Sequence, residues 1–275
     1  MSAGLLEARA LEVLRVGERA RAALERSGGT AAALDGLEDG PYFRAAGELV
    51  WVGARLPAMH PRAVVTARPR ERGSKLRIAA LPERGWEAHL PEPGDPAALG
   101  AAATRLRGAL ARCDTPRGFG LLLAGGAPGF PLSPGVDAVR RLSAAIERDD
   151  PHDALAAARP LLGFGTGFTP AGDDVVGALL FARRFVAPRD ARWTKLAETL
   201  AAEVAARSHP VSAALFQDLA RGQSFAPLHE AAQALAAGRE GGALAAARAL
   251  AAIGHSSGWD MLTGFLIGIG AALAG

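Results

Sequence analysis

The chain has one cysteine, Cys113, in 275 residues. That excludes an intrachain disulfide and a thiolate zinc cluster, and leaves Cys113, in helical surroundings, as a packing residue. A dominant charge is also lacking: the formal net charge is only +3. The calculated pI of 9.7 reflects an arginine excess. No basic stripe interleaved with aromatics accompanies it, so no nucleic-acid partner is expected. Residues 1–24 mix Glu and Arg with Leu and contain no apolar signal-peptide core, which makes the cytoplasm the expected compartment. Residues 258–275 are apolar nearly all round, yet fall slightly short of the roughly 20 residues that a membrane span needs. Asp260 sits inside that run and no basic flank follows it, so no membrane partner is expected. Its Gly264 and Gly268 form a GxxxG pair, read here as allowing close approach of a central bundle helix.

Hydrophobic residues make up 49% of the chain and charged residues 21%, an ordinary globular balance that argues against disorder over most of the length. Residues 5–26 read as a helix stopped by Ser27-Gly28-Gly29. From Pro41 the texture changes to short strand-like runs at 49–52, 63–66, 76–79 and 86–90, separated by Pro and Gly, which predict an antiparallel sheet. Between residues 62 and 84 seven basic residues (Arg62, Arg68, Arg70, Arg72, Lys75, Arg77, Arg84) face two acids (Glu71, Glu83), as on a solvated hairpin tip or a surface for a protein partner. Residues 96–112 predict an amphipathic helix, 119–123 a buried strand and 134–147 another helix. Beyond Pro151 the pattern is helical throughout. The expected fold class is therefore α+β: a mostly antiparallel, sheet-rich N-terminal portion, 1–130, then an all-helical C-terminal portion, 131–275, the two able to share one core.

The most informative stretch is 163–174, Gly-Phe-Gly-Thr-Gly-Phe-Thr-Pro-Ala-Gly-Asp-Asp. Four glycines in ten residues cannot be helix interior, where each costs about 1 kcal/mol against alanine. They suit a loop whose N–H groups approach something closely. Thr169 and Pro170 read as N-cap and first residue of a helix, and a glycine loop entering a helix N-terminus is an anion site. The loop lacks the Gly-Lys-Ser/Thr ending of a P-loop and is GxGxG rather than GxGxxG, which excludes an ATP or dinucleotide reading from this motif.

The same grammar recurs once. Thr169, Asp173 and Gly177 lie without gaps over Ser256, Asp260 and Gly264, and both copies run into apolar helix. Two helix N-termini aimed at one site are expected. The substrate-binding candidates are Gly165, Thr166, Gly167, Thr169, Gly172, Ser256, Ser257, Gly258 and Asp260, and the catalytic candidates are Asp173 and Asp174. Each acid has two readings. Asp173 and Asp174 compensate a helix dipole, worth about 0.3–1 kcal/mol, or one accepts a proton or orients an amide N–H. Asp260 closes a capping box with Ser257 or contacts a ligand. Two acids beside an anion repel it unless they face away or a cation bridges them. No cofactor is expected, Mg²⁺ being the only one the acids admit, and no protein metal-ligand set is spaced for it. His209, before Pro210, reads as a surface or loop residue.

Residues 165–174 resemble the Gly-x-Gly-Leu-Thr-Pro-Ser-Gly-Asp-Asp signature of the small subunit of oxamate carbamoyltransferase from anaerobic allantoin degradation, the AllH family. Residues 253–260, Ile-Gly-His-Ser-Ser-Gly-Trp-Asp, resemble its later Gly-x-Ser-Ser-Gly-x-Asp element. The resemblance extends over most of the chain, although only these two motifs are specific. Phe168 stands for the usual Leu and Ala171 for the usual Ser, which removes one hydroxyl from the substrate contacts. The resemblance implies carbamoyl transfer between carbamoyl phosphate and oxamate, a small anionic substrate, companion carbamoyltransferase subunits and assembly into an oligomer. Two other readings stay open: a non-catalytic assembly subunit, and a hydrolase or lyase acting on a small carboxylate at the same site.

Overall fold

The computed structural model describes residues 10–69, 75–271 and 273. The chain divides into two compact units, Met1–Glu87 and Ala88–Gly275. The boundary lies at 87/88 and not at the expected 130/131, because α2 (Pro96–Cys113) and a 3₁₀ turn (Gly118–Ala124) belong to the helical unit.

The first unit is a closed six-stranded barrel, which corrects the expected antiparallel sheet. Its strands are β1 (Leu11–Val16), β2 (Thr30–Ala33), β3 (Tyr42–Ala45), β4 (Glu48–Gly53), β5 (Ala63–Thr66) and β6 (Lys75–Ala80). Their order around the barrel is β1-β5-β4-β3-β2-β6, closing on itself. Four pairings are antiparallel, but β1–β6 and β4–β5 are parallel. The α+β class holds. Closure leaves no open edge, the feature that otherwise invites pairing with other chains.

The strand that closes the barrel is the one the sequence concealed. The expected helix over 5–26 is β1 followed by α1 (Glu18–Arg26), its residues 5–9 lying outside the described part. Leu11 and Val13 alternate with exposed neighbours, a period of two, and Val16 is buried. Gly17 then lets the chain turn into α1: a Cβ there would sit 2.4 Å from the carbonyl oxygens of His60 and Pro61. Ala20, Ala23 and Leu24 of α1 pack on Phe43, Val50 and Val64 inside the barrel. Arg62 is no solvated hairpin residue: it is 2% exposed, and its guanidinium donates to Glu48 and to the Leu49 carbonyl. Arg70, Glu71 and Arg72 lie outside the described residues. The expected strand at 86–90 contributes only a bridge between Trp86 and Gly17.

The second unit is helical: α2, α3 (Val136–Glu147), α4 (Pro151–Ala158), α5 (Ala171–Val186), α6 (Ala191–Glu203), α7 (Pro210–Ala220), α8 (Ala226–Ala236), α9 (Glu240–Ala251) and α10 (Ser257–Ile269). The apolar run expected as a strand at 119–123 forms the 3₁₀ turn, because Gly118 enters it at φ +55° and the Phe119 N–H is held by Asp260. Short buried apolar runs do not distinguish strand from helix by pattern alone.

Helices α5 and α10 form the centre of this unit, and almost every residue of both is buried. They lie parallel and very close. A Cβ at Gly264 would be 1.9 Å from the Val175 carbonyl oxygen, and one at Gly268 would be 2.6 Å from the Ala182 Cβ. The GxxxG pair thus serves backbone-to-backbone packing within the protein. Among the described residues, no helix is long and apolar enough to cross a membrane.

Candidate functional site

Parallel packing brings the two helix starts side by side. The loop before α5 passes through positive φ at Gly163, Gly165 and Gly167 (+73°, +122° and +92°). Helix α5 begins at Ala171 with Pro170 as its N-cap, one residue later than the sequence suggested, and no side chain caps it. The Thr169 hydroxyl is therefore free of capping duty. It lies 2.9 Å from the Ser257 hydroxyl at the start of α10, hydrogen bonded across the junction. The two motifs meet as expected.

Several candidate residues serve the scaffold. A Cβ at Gly172 would be 2.0 Å from the Leu161 carbonyl oxygen, and the Gly172 N–H donates to the Phe164 carbonyl at 2.9 Å. A Cβ at Gly258 would be 1.9 Å from the Leu250 carbonyl oxygen, and the Gly258 N–H donates to Ile253. Both glycines are accounted for by helix packing. Asp173, 2% exposed, is fully engaged. Its Oδ1 accepts the Gly163 N–H at 2.8 Å, and its Oδ2 accepts the Ser212 hydroxyl at 2.6 Å and the Ser208 hydroxyl. It ties the glycine loop to the start of α7. His209 caps α7 through Nδ1, which accepts the Val211 N–H, and its ring lies 4.9 Å from that of the half-exposed Phe168.

The other acids are different. Asp260 makes no capping box: Ser256, the N-cap of α10, bonds no helix N–H through its side chain. The Asp260 Oδ1 accepts the Phe119 N–H at 2.7 Å, while Oδ2 is buried without a hydrogen-bond partner. Gly118 is wrapped so tightly here that a Cβ would be 2.4 Å from Asp260 Oδ1. Asp174 Oδ2 is likewise buried without a partner. The residues are 6% and 0% exposed for Asp174 and Asp260. Burial first, then the Asp260 carboxylate, pushes the Asp174 carboxyl well above the usual carboxylate range, against a hydrogen bond from Ser257. Burial pushes Asp260 up to about 7, against hydrogen bonds from the Phe119 N–H and the Ser256 hydroxyl. Gapless alignment of the motifs matched Asp173 to Asp260. In space it is Asp174 whose carboxyl senses Asp260.

The loop that leads into α5 carries a set of backbone donors. Among the described residues, the N–H groups of Gly165, Thr166, Gly167, Phe168 and Thr169 donate to no protein group. Thr166 and Gly167 are exposed, and a Cβ at Gly167 would meet nothing within 4 Å. At the junction of the two helix N-termini the hydroxyls of Thr169 and Ser257 bond each other, and those of Ser257 and Ser256 bond Asp174 and Asp260, whose Oδ2 atoms stay unpartnered. The free N–H groups of the loop suit a small molecule with an anionic end.

Sequence reasoning missed the partners that orient this site. Phe119 supplies the N–H that fixes Asp260, Ser208 and Ser212 fix Asp173, and Arg117 reaches the His255 carbonyl through Nη1 at 3.4 Å. The one available signal was Ser208 and Ser212 spaced four apart around a helix start.

Residues 161–269 match the family model described as oxamate carbamoyltransferase subunit AllH. This stretch of the chain is AllH-like. It runs from the turn before the glycine loop to the end of α10 and holds both motifs; the barrel, Arg117 and Phe119 lie outside it. No curated protein and no solved structure matches the chain.

Proposed function

We propose that the chain is a subunit of a carbamoyl-transferring enzyme whose substrate site lies where α5 and α10 begin. The observation that carries this reading is the Thr169–Ser257 hydrogen bond, which joins the two AllH-like motifs beside two buried, unpartnered carboxylate oxygens. Free N–H groups at 165–169 and the hydroxyls of Thr169, Ser256 and Ser257 hold the anionic end of the substrate, a phosphate or an α-oxo carboxylate. The positive ends of two helix dipoles add to that hold.

The reaction is transfer of a carbamoyl group from carbamoyl phosphate to the amide nitrogen of oxamate. The nitrogen attacks the carbamoyl carbon, the bond from that carbon to the phosphate oxygen breaks, and the amide proton leaves with the phosphate. Donors aimed at oxygens that gain charge stabilise this transition state. Asp173 already spends both carboxylate oxygens on Gly163, Ser208 and Ser212, which leaves Asp174 and Asp260 as the acids able to act on the substrates. Companion subunits complete the enzyme, as the AllH description implies.

A thermal-shift screen of the full chain, alone and with its companion subunits, tests the reading. A ligand that binds the folded state raises the melting temperature by mass action. Carbamoyl phosphate or oxamate is expected to raise it in the wild type and not in Ser257→Ala. No shift in either the lone chain or the assembled complex rejects this function.

A further inference from the structure

We propose that Asp174 and Asp260 hold a divalent cation of the Mg²⁺ class, which bridges their unpartnered oxygens to the phosphate of the substrate. The proposal rests on the function given above and deepens it, because Asp174 then acts on the reaction through the cation. Three observations carry it.

The first is the pair of orphaned atoms. Asp174 Oδ2 and Asp260 Oδ2 are both buried and neither has a hydrogen-bond partner. A buried carboxylate oxygen left without a partner is costly, and buried charges are ordinarily paired or coordinate a metal. The second is preorganisation. Asp260 is fixed by the Phe119 N–H on its other oxygen, so Oδ2 is presented rather than left to rotate. Asp174 lies in the first turn of α5, directly after Asp173, whose three hydrogen bonds tie down that turn. The third is chemistry. The side chains bonded to the pair offer oxygen: Ser257 to Asp174 and Ser256 to Asp260, with Thr169 bonded in turn to Ser257. Mg²⁺ takes hard oxygen ligands and is characteristically held by one or two carboxylates together with substrate phosphates and water.

Among the described residues there is one three-residue cluster of metal-ligand type, Asp150, His152 and Asp153, but it is largely on the surface and already employed. Asp150 caps α4 and Asp153 pairs with Arg148. It supplies the control.

The test is Mn²⁺ titration of the full chain, followed by electron paramagnetic resonance and calorimetry, with and without carbamoyl phosphate. Wild type is expected to bind one Mn²⁺ per chain, more tightly with carbamoyl phosphate present. Asp260→Asn keeps an oxygen for the Phe119 N–H and replaces only the orphaned atom; Asp174→Asn replaces its counterpart. Each is expected to weaken Mn²⁺ binding at least about tenfold while leaving the circular dichroism spectrum unchanged. Binding that survives both substitutions but is lost in Asp153→Asn places the ion on the surface cluster and overturns the proposal. So does a protein that gives a thermal shift with carbamoyl phosphate yet binds no Mn²⁺; in that case the proposed function stands without the cation. If carbamoyl phosphate and oxamate produce no shift with or without Mn²⁺, the function fails, and the cation bridge fails with it.

Discussion

Thr169 and Ser257 are 88 residues apart in the chain, and their hydroxyl oxygens are 2.9 Å apart in the fold. That bond is the seam between the two motifs. It forms because α5 and α10 run parallel with glycine at their contact, which puts both N-termini at the same end. A double-mutant cycle of Thr169→Val and Ser257→Ala is expected to give a coupling of about 0.5–1.5 kcal/mol in denaturant unfolding, the usual worth of a hydrogen bond. A coupling indistinguishable from zero means the two starts do not touch in solution.

Asp173 and Asp174 are neighbours in sequence and are expected to behave oppositely. Asp173→Asn disturbs three hydrogen bonds to a buried carboxylate and is expected to cost about 1–3 kcal/mol of stability, with turnover of the folded complex retained. Asp174→Asn touches an oxygen that bonds nothing in the protein. It is expected to leave the melting temperature unchanged or higher and to cut turnover by roughly 10²-fold or more. Full turnover in Asp174→Asn removes that residue from the chemistry.

The glycines divide in the same manner. Gly172→Ala and Gly264→Ala each drive a methyl into a carbonyl oxygen, at 2.0 Å and 1.9 Å, and are expected to lose about 1–3 kcal/mol or to fail to fold. Gly167→Ala meets open space and carries only the strain of φ +92°. Its expected signature is weaker binding of carbamoyl phosphate in a core that stays folded. Calorimetry on Gly167→Ala and melting curves on all three variants check this.

The barrel has its own pH dependence. His60 is buried, and burial together with the Arg62 charge lowers its pKa from 6.5 to about 3. Between those values the unfolded chain binds a proton that the folded barrel refuses, so stability falls as pH drops from about 6.5 towards 3 and is fully present above. The effect is of order a few kcal/mol, at 1.36 kcal/mol per pKa unit. Amide exchange of the barrel strands measured across this window is expected to lose protection on acidification, and less steeply in His60→Asn.

Part of this was legible in the sequence. The glycine loop, the hydroxyl residues and the acids at 165–174 and 256–260 obey local rules, and local rules read well from a string. The facing of the acids did not. Successive residues on a helix point about 100° apart, so whether Asp173 or Asp174 meets Asp260 depends on how α5 is rotated against α10. That rotation is set by contacts such as Gly264 on Val175, 89 residues away in a direction no periodicity reports. Strand β1 was hidden for a similar reason. Its six residues run directly through Gly17 into α1, and only pairing with β5 and β6 makes them a strand. Phe119 was visible as a buried residue, but its role lies in a backbone N–H that the sequence does not display.

The central claim is that the two motifs form one substrate site, and a crystal structure of the chain with carbamoyl phosphate and oxamate, in its enzyme complex where the lone chain does not bind, tests it most directly. The expected result is ligand density between the loop at 165–169 and the start of α10, with an anionic oxygen within hydrogen-bond distance of the Gly167 N–H and of the Thr169 or Ser257 hydroxyl. Ligand bound elsewhere, with the Thr169–Ser257 junction bare, contradicts it.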